Sequence, residues 1–95
     1  MEQETKEAIL RIQGAQMHLY ENYYEGISLQ LHISSEGCIH IWASNRTNGK
    51  NKVHTKGFVK YNRDDEHWLV LGRSQREYTA KQMLAKISKF IGIDI

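Results

Sequence analysis

Hydrophobic periodicity changes twice along this 95-residue chain, and those changes limit the fold more than any other feature. From about Glu4 to Tyr23, Ala8, Ile12, Ala15 and Leu19 recur at helical spacing, with Ile9, Gln16 and Tyr23 widening the stripe. Acidic residues crowd the first turn, where the positive end of the helix dipole favours them. Period two then takes over. Ile27, Leu29, Leu31 and Ile33 alternate with Ser28, Gln30, His32 and Ser34, which is the pattern of a half-buried strand. A second strand runs from Cys38 to about Ser44. A third covers roughly Lys52 to Tyr61, with Val53, Thr55, Gly57, Val59 and Tyr61 on one face. A fourth runs from His67 to about Leu71.

Register follows from matching apolar positions, because a slip of one residue turns a strand's apolar set outward. The loop Ser35-Glu36-Gly37 pairs Ile33 with Ile39 and Leu29 with Ala43, and it puts glycine where positive φ is needed. A loop Thr47-Asn48-Gly49 would likewise pair Ala43 with Val53. The fourth strand has two solutions. A three-residue turn sends Leu69 and Leu71 toward the helices, and the four-residue turn Asn62–Asp65 sends Trp68 and Val70 there.

Helical spacing returns after Thr79, where Thr79-Ala80-Lys81-Gln82 forms a capping box. Ala80, Met83, Leu84, Ile87, Phe90 and Ile91 make its buried face, and Gly92 supplies a left-handed stop. The expected fold is therefore α+β, one domain over 1–95, in the order α-β-β-β-β-α. Its four-stranded antiparallel meander would carry both helices on one face. The run Ala80-Lys81-Gln82-Met83-Leu84-Ala85 resembles the Ala-Lys-x-x-Ala-Ala run of double-stranded RNA-binding domains, whose helix–sheet–helix order is also similar. That family opens its second helix with paired lysines on phosphate, whereas Glu77-Tyr78-Thr79 stands here, so the resemblance assigns no family.

Charge is segregated. Between Gly37 and Arg63 there is no Asp or Glu, against Arg46, Lys50, Lys52, Lys56, Lys60 and Arg63. The net charge of +2 is thus +6 in this middle stretch, −4 over residues 1–36 and zero over the rest. A local basic field recruits anionic partners without saying anything about fold. Lone Cys38 excludes an internal disulfide and fits a reducing, cytoplasmic setting. No run approaches the ~20 apolar residues of a membrane span, so no membrane partner is expected.

If both helices cover one face of the sheet, the other carries the rows His32–His40–Lys56, Gln30–Trp42–His54 and Ser28–Ser44–Lys52, with Phe58 and Lys60 beyond. Aromatics on a basic sheet suit single-stranded nucleic acid, since bases stack on rings and lysines neutralise phosphates. The expected interface is Trp42 and Phe58 for bases, with Arg46, Lys50, Lys52, Lys56, Lys60 and His54 around them. The function read from this is a small non-enzymatic nucleic-acid-binding module. The alternative is an adaptor or inhibitor of phage or mobile-element type that binds an acidic protein. A ribonuclease using His32 and His40 ranks behind both. Two histidines with no further ligand make a weak metal site, so neither metal nor cofactor is expected. The exposed aromatic face points to a monomer or a weak homodimer.

Overall fold

The computed structural model describes residues 2–47, 54–61, 66–73 and 75–95. The chain runs α1 (Gln3–Asn22), β1 (Ile27–Ile33), β2 (Ile39–Asn45), β3 (His54–Lys60), β4 (Trp68–Val70), β5 (Glu77–Tyr78) and α2 (Ala80–Ile91). The five strands form one antiparallel sheet in sequence order. Both helices pack on the same face of it and touch each other. The α+β order holds, with five strands in place of four. Strand β5 is two residues long, too short to leave a period in the sequence, and it leads directly into the cap of α2.

The β1–β2 hairpin has the expected register, Ile33 opposite Ile39 and Leu29 opposite Ala43. Gly37 sits at φ 87° in its loop, a conformation that costs glycine nothing. The cap of α2 also forms as expected: Thr79 accepts from the Gln82 amide, the Gln82 side chain accepts from the Thr79 amide, and Gly92 closes the helix at φ 73°. Helix α1 ends earlier than its stripe suggests. Tyr23 takes the left-handed cap position and is 90% exposed, so it does not extend the buried face.

The largest departure is in β3. Ala43 pairs with Lys56, not with Val53, and Ile41 pairs with Phe58. The connection spans 46–53, and the three-residue offset, being odd, reverses the two faces of β3. The observed register buries Phe58 at 2% exposure, with its ring edge-on to Tyr78 (centroids 5.8 Å apart, 85°). It also sets Gly57 opposite Trp42, a small residue beneath a large one. A β-carbon on Gly57 would stand 2.3 Å from Leu71 Cδ1 and 3.1 Å from Trp42 Cδ1, so both side chains close over that glycine.

Pairing of Phe58 with Val70 and of Trp68 with Tyr78 resolves the open choice in β4. Trp68 and Val70 face the helices, while Leu69 and Leu71 lie on the other side. Trp68, Ile12, Ile41, Met83 and Ile87 are fully buried in the resulting core. Each contributes about 1.5–3 kcal/mol of apolar burial. Buried Asn45 ties the sheet to α2 by donating from Nδ2 to the Phe90 carbonyl at 2.8 Å.

Candidate functional site

The reversal of β3 redistributes the residues expected on the open sheet face. Phe58 is a core residue and offers no stacking surface. Lys60, also on the helix-covered face, is 1% exposed; its Nζ donates to Glu2 Oε1 at 2.9 Å and to Thr5 Oγ1 at 2.8 Å. The Lys60 ammonium, and after it the Thr5 hydroxyl, hold the Glu2 carboxyl below its ordinary value. Lys60 is therefore a structural cation. Lys56 stays exposed, but on the helix side, with Nζ 5.5 Å from the Phe90 ring centroid. His54 lies exposed opposite Asn45 and not in line with Trp42, and Arg46 is exposed at the end of β2. Lys50 and Lys52 fall outside the described residues, as does the loop Thr47-Asn48-Gly49 beyond Thr47.

What remains on the open face is largely neutral. Gln30, Trp42, Gly57 and Leu71 share one row, and His32, His40, Val59 and Leu69 the next. Trp42 is half-buried, stacked on His40 with ring centroids 5.2 Å apart and 16° between planes. Cys38 Sγ lies 3.1 Å from His40 Nε2, and the His32 ring is 6.5 Å from that of His40. Among the described residues no group of three His, Cys, Asp or Glu could hold a metal ion.

The cations gather elsewhere. Past Val70 the chain turns sharply: Leu71 donates its amide to the Gly57 carbonyl at 2.9 Å, Arg73 donates to the Val70 carbonyl at 3.0 Å, and Gly72 sits at φ 80°. The chain returns as β5 only at Glu77, so a cleft opens between the start of β3, the β4–β5 turn and α2. Its volume is about 500 Å³, and Lys56, Arg73, Arg76 and Lys86 line it together with Phe58, Val70, Leu71 and Tyr78. Among the described residues no carboxylate lines it. Arg76 Cζ and Lys86 Nζ lie over the Tyr78 ring, 5.5 and 5.7 Å from its centroid. Cation–π attraction of this kind places a cation without neutralising it. Among the described residues none of the four cations is paired with a carboxylate.

Arg73, Arg76 and Lys86 were not legible as a site from sequence, because the last third of the chain is neutral in sum. The signal lies in three dimensions. Glu77, the acid nearest to them in sequence, lies 3.4 Å from His67 Nδ1 and does not line the cleft.

A second surface stands apart from the cleft. Leu10 and Met17, each 57% exposed, with Tyr20 and the C-cap Tyr23, place on α1 and its cap four of the seven large apolar side chains that the described residues leave in solvent. Among the described residues no helix is long and apolar enough to cross a membrane. No family model matches the chain, and comparisons with curated proteins and with solved structures likewise find no match.

Proposed function

We propose that the chain is a small non-enzymatic module for single-stranded nucleic acid, working in a reducing compartment such as the cytoplasm. Its contact surface is the basic cleft between β3, the β4–β5 turn and α2. One observation carries this reading: four cations from three separate elements converge on one cavity that, among the described residues, no carboxylate lines. Like charges held together without a counterion raise the local potential and are costly unless an anion completes them.

Trp42 keeps its role beside the cleft. Leu71 lies against Gly57 and so does the indole, so a strand leaving the cavity over Leu71 meets a half-exposed aromatic edge. Stacking there adds sequence-tolerant affinity, and the cations meet phosphate. Arg46, exposed at the end of β2, lies outside the cleft and lines a separate hollow with Glu25.

Fluorescence anisotropy of a labelled oligothymidylate tests the reading. Four phosphates neutralised on a single strand give a log–log salt slope of about −3, and Trp42 emission falls as bases stack. No binding at low ionic strength ends it. The adaptor or inhibitor reading draws on a different observation, the exposed Leu10, Met17 and Tyr20 of α1. Under that reading Met17→Glu abolishes partner capture, and oligonucleotide titrations are flat for the parent chain and the variant alike.

A further inference from the structure

We infer that the cleft accommodates a whole nucleoside-phosphate unit, base included, and is not a site for phosphate alone. The inference rests on the nucleic-acid reading for the ligand's class, and it adds what the cavity selects. A site for a bare anion needs donors and charge only. This cavity interleaves its cations with the half-buried Val70 and Leu71, so an anion held by Arg73 and Lys56 lies beside apolar wall. Water against that wall is displaced with gain only by an apolar or aromatic group.

Size agrees. About 500 Å³ falls within the range of cavities that enclose small organic ligands, ~300–1,000 Å³, and exceeds what an inorganic phosphate fills. The charges are also distributed to suit such a unit. Arg73 and Arg76 come from the turn, Lys56 from β3 and Lys86 from α2, so cations approach from three elements while the apolar wall lies between them. Arg76 has the further property of a planar guanidinium supported by the Tyr78 ring. Such a plane stacks on a base as well as pairing with phosphate. Phosphate thus meets the cations, and the base lies between Arg76 and the Leu71 side of the cavity.

The test is competition against the labelled oligothymidylate at constant ionic strength, with thymidine 5′-monophosphate, deoxyribose 5-phosphate and inorganic phosphate as probes. The nucleoside monophosphate is expected to displace the oligonucleotide at a concentration at least tenfold below that of either other probe. Leu71→Ser, on a half-exposed side chain, should raise the monophosphate concentration several-fold and leave that of inorganic phosphate unchanged. Equal potency of the three probes overturns the inference while the nucleic-acid reading stands. Free thymidine monophosphate is titrated in parallel against the Tyr78 and Leu71 resonances. Shifts there in a chain that ignores oligonucleotides support the inference and remove the nucleic-acid reading. No shift with the nucleotide overturns the inference whatever the polymer does.

Discussion

Removing the carboxylate of Glu2 while Lys60 stays in place strands an ammonium that is 1% exposed and keeps only the Thr5 hydroxyl as a partner. Breaking a fully buried pair from one side costs ~3–5 kcal/mol, because the remaining charge is left uncompensated. Glu2 is itself 33% exposed, so water reaches the gap and screens part of that penalty. Glu2→Ala is therefore expected to destabilise by about 2 kcal/mol, equivalent to roughly 10 °C in Tm for a domain of this size. Lys60→Met removes the charge but keeps the unbranched stem, and Thr5 still donates to Glu2 at 2.8 Å. Its cost should stay within about 1 kcal/mol, since an apolar replacement escapes the desolvation of the ion.

The pH dependence has a definite sign. Glu2 is depressed below its ordinary 4.5, first by Lys60 and then by Thr5. A lowered folded-state value stabilises the fold above the unfolded-state pKa, and the contribution is lost as pH falls through the folded one. Urea melts of the parent chain, Glu2→Ala, Lys60→Met and the double variant, at neutral pH and below the carboxylate range, measure all of this. The double variant should match Lys60→Met, and the parent should lose its advantage over Lys60→Met on acidification. A larger loss for Lys60→Met than for Glu2→Ala at neutral pH would refute the reasoning.

Three further substitutions probe separate elements. Gly57→Ala pushes Leu71 off the glycine and crowds Trp42; a cost of about 1–2 kcal/mol and a red-shifted Trp42 emission are expected, read by urea titration followed in fluorescence. Thr79→Ala removes one half of the capping box and should cost about 1 kcal/mol in the same assay, with helix content retained by circular dichroism. Asn45→Ala leaves the Phe90 carbonyl without its side-chain donor and should cost about 1–2 kcal/mol, with faster amide exchange in the last turn of α2.

The first hairpin and both helices were readable because local rules sufficed: alternation on both strands, a glycine at positive φ, and caps at fixed spacing. Strand β3 was not, because both of its faces carry apolar residues and only the length of the preceding connection fixes which is buried. Assuming three residues there put Phe58 and Lys60 outside. Two nonlocal facts decide otherwise: Gly57 makes room for Trp42 and Leu71, and Lys60 finds Glu2, 58 positions earlier in the chain. The basic stretch did indicate an anionic partner class, yet of its cations only Lys56 joins the cleft among the described residues. The other three come from a segment whose charges cancel along the sequence and separate in space.

Charge reversal at the cleft, compared with the same reversal elsewhere, tests the central claim most directly. Arg73→Glu combined with Arg76→Glu changes two exposed cations of the cleft. Lys6→Glu combined with Arg11→Glu changes net charge equally on exposed positions of α1. Oligothymidylate affinity is followed by anisotropy across a salt series for the parent and both variants. The cleft variant is expected to lose at least a hundredfold in affinity and to flatten the salt slope by about two cations' worth, roughly 1.4. The α1 variant should stay within about threefold of the parent, the residue of a long-range field already screened beyond ~8 Å at physiological salt. Equal losses in the two variants, or an unaltered slope in the cleft variant, would contradict a nucleic-acid site in the cleft.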